Sequence, residues 1–145
     1  MGPVDALRNA FRPGVLPWAV EILPLLQGQP KLAVPGARVA PLRNGRVDVP
    51  GTPTAIAVPG HTSGSTMFHF EDEGVVVVGD ALVTGHRTSR ASGPQMLLPM
   101  FHADVDTAHR SLTRLAALHA DALLPGHGPS WAGRPADAVA RALET

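Results

Sequence analysis

The chain has 145 residues, one domain's worth, and 44% of them are hydrophobic, so it can build a core and is not disordered throughout. Its formal charge is zero and it has no cysteine; this removes any electrostatic case for nucleic acid or an anionic membrane, and with it disulfides, thiolate ligands and a cysteine nucleophile. No apolar stretch reaches the ~18 residues of a membrane span, and the start MGPVDALRNAF lacks the parts of a signal peptide, so a soluble, cytoplasmic protein is expected.

Residues 13–30 read as an apolar helix, with Pro17 near its first turn and Pro24 ending or kinking it. Its partial stripe is Leu16, Val20, Leu23 and Gln27. Asn44-Gly45 between Val39–Leu42 and Arg46–Val49 predicts a hairpin, since both residues tolerate positive φ. Thr54–Val58 reads as a strand leading into PGHTSGS. Thr66–Phe70 and Val75–Val78, joined by EDEG, read as a second hairpin, and four consecutive valines imply a strand buried on both faces. Residues 84–101 read as a long loop containing an apolar cluster, Met96 to Phe101.

Asp104 or Asp106 caps a helix predicted to run to about His119. Its apolar face is Val105, Ala108, Leu112, Leu115 and Leu118, with Arg110 and Arg114 opposite. Ala122–Leu124 is a short strand into PGHG, and Pro135–Leu143 a last helix begun by proline. No repeat or linker divides the chain, so residues 1–145 read as one domain.

Three pieces carry the chemistry: PGHTSGS at 59–65, VVVVGD at 75–80 and LLPGHG at 123–128. They present His61, Asp80 and His127, each next to a glycine at the end or turn of a segment. Two imidazoles and a carboxylate are the donors a borderline cation such as zinc prefers when no thiolate is offered. The hydroxyls of Thr62, Ser63 and Ser65 are better read as a turn that fixes His61 than as nucleophiles, because no G-x-S-x-G elbow is present. His86 and Arg87 stand on the long loop, either facing a substrate or without a role, and His102 is placed to pack at the start of the Asp104 helix. His69, His109 and His119 read as surface residues, and Trp18 and Trp131 as packing anchors.

In this order the pieces resemble the second half of the metallo-β-lactamase superfamily, the glyoxalase-II-like metallohydrolases. There a GHTxGS loop gives one histidine, a strand ending in GD a bridging aspartate, and a PGHG loop the last histidine. His61, Asp80 and His127 match those positions, 19 residues apart and then 47. The resemblance covers roughly residues 30–130 and implies half of a four-layered αβ/βα sandwich. That is an α+β fold with one mostly antiparallel sheet and two or three helices.

The family's HxHxDH motif, which carries most of the ligands and the aspartate that orients the attacking water, has no counterpart in residues 1–60, where there is no histidine. The resemblance therefore implies a partial domain, the C-terminal half of a hydrolase of the ester, thioester or lactam type, with little activity alone. It also implies at most one weakly bound zinc per chain, at His61, Asp80 and His127. Half of the sandwich would expose the inner face of its sheet, which leads us to expect a homodimer or a complementary N-terminal half as partner. A small-molecule substrate is expected if the chain is active. The alternative is a non-catalytic interaction or regulatory module that keeps the three ligands as relics.

Overall fold

Six strands form one mixed sheet in the computed structural model, which describes residues 12, 14–26 and 42–144. They are β1 (Gly45–Arg46), β2 (Thr54–Ala57), β3 (Thr66–Phe70), β4 (Val75–Gly79), β5 (Ala122–Pro125) and β6 (Trp131–Ala132), lying in the sheet in chain order. Every neighbouring pair is antiparallel except β4 and β5. A parallel pair needs a long crossover, and here it holds helix α2 (Val105–Ala116). Helix α1 (Val15–Leu26) precedes the sheet, and α3 (Pro135–Leu143) follows it.

The pleat decides where the core lies. Met67, Val76 and Leu123 fall on one face through the β3–β4–β5 register and are fully buried, with Val78 beside them. Against them pack Leu112 and Leu115 of α2 and Ala138, Val139 and Ala142 of α3. Asp104 caps α2 by accepting from the Thr107 amide at 2.9 Å, and the Thr107 hydroxyl and that amide hold its carboxyl below the usual carboxylate range. The other sheet face aligns Ala55, Phe68, Val77 and Leu124, and Leu124 is 41% exposed. This is the α+β architecture expected, in one layer of sheet and one of helices. No helix among the described residues is long and apolar enough to cross a membrane.

Several expectations are corrected. Among the described residues, the valine run is buried on one face only: Val76 and Val78 are in the core, whereas Val75 and Val77 are half-buried on the face that no described helix covers. In α1 the anticipated stripe points outward, with Leu16 67%, Val20 64% and Leu23 55% exposed, while Val15 and Trp18 face inward. An almost uniformly apolar helix carries no sequence signal for which side is buried. Pro24 sits within α1, whose assigned end comes two residues later at Leu26, and Gln27 lies outside the described residues.

The Asn44-Gly45 hairpin is not seen as drawn. Residues 39–41 lie outside the described residues, and β1 pairs instead with β2. The turn between them is at 49–52, closed by the Thr52 amide donating to the Val49 carbonyl at 2.8 Å. Asn44 acts otherwise, its side-chain oxygen accepting from the Ala57 amide at 2.7 Å. His69, expected at the surface, is 8% exposed and donates from Nε2 to the His119 carbonyl at 3.0 Å. A buried imidazole with a carbonyl partner avoids an unsatisfied donor. Helix α2 ends at Ala116, short of His119, and β6 is a strand that sequence did not reveal.

Candidate metal centre

His61 is delivered by the loop between β2 and β3, and that loop is clamped to the start of α2. The Asp104 amide donates to the Gly60 carbonyl and the Ala103 amide to the His61 carbonyl, both at 3.0 Å. The Ser111 hydroxyl on α2 donates to the Pro59 carbonyl at 2.7 Å. Gly60 allows this approach because it is at φ +135° and a Cβ there would lie 2.3 Å from the Ala108 backbone. Thr62 and Ser65 then close the turn on themselves, with the Thr62 amide donating to Ser65 Oγ at 3.0 Å and the two hydroxyls 2.9 Å apart.

Asp80 follows β4 directly, and His127 follows β5, so the parallel pairing of these strands brings both to one sheet edge. The Gly126 amide donates to the Gly79 carbonyl at 2.9 Å, which locks the two loops together. A Cβ at Gly126 would stand 2.2 Å from Asp80 Oδ1, so only glycine leaves the carboxylate its place. Thr84 secures the far side: its amide donates to the His127 carbonyl at 3.0 Å and its hydroxyl to the Pro129 carbonyl.

These elements bring all three residues of the sequence trio together. His61 Nε2 lies 3.4 Å from Asp80 Oδ2, and His127 Nε2 lies 3.6 Å from Asp80 Oδ1. Both distances exceed a good hydrogen bond. They match the edge of a coordination tetrahedron, since two donors at ~2.0–2.2 Å from one ion stand roughly 3.3–3.6 Å apart. The donors form two pairs that share the carboxylate, one on each oxygen. Among the described residues, no three His, Cys, Asp or Glu side chains form a group that could hold a metal ion. The spacing thus fits metal at either oxygen of Asp80, with two donors per ion from this chain.

The flanking residues are aromatic and histidine-rich. His102 stands edge-on to His61, with ring centroids 5.7 Å apart, and donates from Nε2 to the Leu97 carbonyl at 3.1 Å. Burial holds the His102 ring below the ordinary imidazole range, against the pull of that carbonyl. The Nδ1 atoms of His61 and His102 are both buried without a hydrogen-bond partner among the described residues. His86 lies edge-on to His127, 5.1 Å between centroids, with its Nδ1 2.7 Å from the Thr88 hydroxyl. Burial, and then the neighbouring His127, lower its pKa, while Asp80 pulls the other way.

His109 and His119 are exposed. Trp131 packs against the core under the Arg141 guanidinium, but Trp18 belongs to the site, edge-on to Phe101 at 5.0 Å. Sequence reading missed the parts played by Trp18, Thr84 and His102 beside the trio. The available signal for Trp18 was its i, i+4 spacing with Ile22 on one face of α1.

A family model described as the metallo-beta-lactamase superfamily matches residues 6–127. A probable metallo-hydrolase, YflN, of Bacillus subtilis strain 168 is 36% identical over 88 residues, 54% of this chain and 32% of that protein. Among solved structures, the metallo-beta-lactamase family protein TTHA1429 of Thermus thermophilus is similar at a TM-score of 0.53 and 28% identity. That match covers 86% of this chain and 43% of the other. TTHA1623, solved in a di-iron-bound form, matches at 0.52 and 28%, over 83% of this chain and 57% of that one. A beta-lactamase domain protein from Burkholderia ambifaria shares the fold at 0.58 and 23% identity, over 97% and 42%. The chain therefore spans only about a third to three-fifths of the length of these relatives.

Proposed function

Because this chain belongs to the metallo-β-lactamase superfamily, whose members bind metal ions, we propose that it is part of a metal-dependent hydrolase of esters, thioesters or lactams. His61, Asp80 and His127 are its ligands in this reading. The observation that carries it is the placement of one imidazole Nε2 against each oxygen of Asp80, at tetrahedral-edge spacing. A bound divalent cation supplies Lewis-acid polarisation of a carbonyl and acidifies water.

The chain's own residues do the rest. Asp80 would be the donor shared by both imidazoles, and it is held in register by the Gly126–Gly79 hydrogen bond. His61 is oriented by the clamp on α2 and by the edge of His102, and His127 by Thr84. Phe101 and Trp18 cover His86, so the approach to His127 is partly apolar. The metal is zinc in our reading, although the relative solved with two irons makes iron the natural second assay.

With two donors per ion, metal is held weakly by this chain alone. Equilibrium dialysis against zinc and against iron(II) is expected to give at most one ion per chain, weaker than micromolar, and weaker still in His127→Ala, which leaves only the His61–Asp80 pair. Two tightly retained ions per chain, or retention unaffected by His127→Ala, would overturn this ligand set. Turnover of ester, thioester and β-lactam substrates by the isolated chain is expected to be near background, because metal activation and electrostatic stabilisation are among the largest catalytic terms. An ordinary enzyme rate that His127→Ala abolishes would show that the chain completes a site by itself.

A further inference from the structure

A cavity of about 590 Å³ opens beside His127, between α1 and the loops that carry His86 and Gly128. Its size is that of a small-molecule site. Trp18 and Ile22, one turn apart on α1, form its apolar wall. The wall is fixed at both ends. At Gly14, φ +89°, a Cβ would meet the Arg87 carbonyl at 2.5 Å, so the start of α1 is packed directly on the loop backbone. One turn beyond Trp18, Glu21 takes the Arg87 guanidinium in a two-pronged pair, one of its bonds 2.8 Å long.

That pair decides what the cavity accepts. Among the described residues lining it, Arg87 is the one side chain with a permanent positive charge, and its fork is already engaged by Glu21. Without metal, a ligand carboxylate entering here would meet Glu21, with Asp80 nearby, and no disengaged side-chain cation among the described lining residues to receive it. An apolar, uncharged group finds the indole of Trp18, held edge-on by Phe101.

We propose that this cavity binds the uncharged, apolar acyl or leaving group of the substrate beside the metal ligands, and that Trp18 and the Glu21–Arg87 pair set that preference. This rests on the hydrolase reading above for the word substrate, but binding itself is testable without turnover. Ligand-observed NMR on the metal-free chain in chelator is the assay, with hexanamide as the neutral probe and adipamate, the monoamide of adipic acid, as the anionic one.

Hexanamide is expected to bind at least tenfold more tightly than adipamate. Trp18→Ala should weaken hexanamide about tenfold, while Trp18→Phe stays within about threefold of the parent; circular dichroism confirms that both variants fold. Glu21→Gln, which releases Arg87, should strengthen adipamate about fivefold and leave hexanamide nearly unchanged. Equal binding of the two probes, or hexanamide affinity indifferent to Trp18→Ala, would overturn the proposal. Neutral preference in a chain that binds neither zinc nor iron(II) in dialysis would instead overturn the hydrolase reading and leave the cavity assignment standing.

Discussion

Gly60→Ala is expected to destabilise the protein by about 2–6 kcal/mol and to lower its melting temperature by roughly 10 °C. Two independent costs add at this position. At φ +135° an alanine would adopt a backbone conformation that L side chains rarely occupy, which costs on the order of 1–3 kcal/mol. Its Cβ would also stand 2.3 Å from the backbone N and Cα of Ala108. Neither atom belongs to a flexible side chain, so the loop or the whole of α2 must move. Overpacking of that kind costs roughly another 1–3 kcal/mol. Moving α2 would strain the hydrogen bonds from Asp104 to Gly60 and from Ser111 to Pro59, and it would displace His61. Gly64→Ala is the internal control. It lies in the same loop, with no atom within 4 Å of its Cβ, and should change stability by no more than about 0.5 kcal/mol. Thermal unfolding that puts the two variants within about 1 kcal/mol of each other would show that the loop is not seated on α2 as described.

The same loop shows why parts of this protein were legible in sequence. A glycine beside each of His61, Asp80 and His127 is a local mark, and close backbone approach demands glycine whatever the distant contacts are. Strand β3 and the helices α2 and α3 were equally plain, because a capping aspartate, a proline start and a period of apolar residues are written within one element. What could not be read was set by contacts between elements. Residue 69 alternates correctly with Met67 onto the core side of β3, but a histidine there is tolerable only because the His119 carbonyl stands 3.0 Å away. The valine run looks the same whether one or two layers cover it, and the described helices cover only one face. Strand β6 has two residues, too few to show a period, and is specified by pairing with β5. The inward side of α1 depends on Arg87 and Phe101, which lie more than sixty residues later in the chain.

Asp80→Asn is expected to abolish a metal-induced rise in melting temperature, and to do so without destabilising the metal-free protein. The carboxylate is 26% exposed, and its nearest partners of opposite potential charge are two imidazoles at 3.4 and 3.6 Å, too far for good hydrogen bonds. Without metal, the amide keeps the shape and removes a charge that is incompletely compensated. Stability in chelator should therefore stay level or rise slightly. With metal the sign reverses, because the bridging donor that both imidazole pairs share has lost its charge. An ion at about 100 times its dissociation constant stabilises the folded state by roughly 2.7 kcal/mol, which for a chain of this size is on the order of 8 °C. Four melting curves decide it: wild type and Asp80→Asn, each with zinc and with chelator. Wild type should rise with zinc while the variant does not, and the two chelated samples should nearly coincide. Four superimposed curves would mean that His61, Asp80 and His127 keep the geometry of a metal site without its affinity. A variant that melts well below wild type in chelator would show that Asp80 supports the fold by itself, through hydrogen bonds that its present neighbours do not provide.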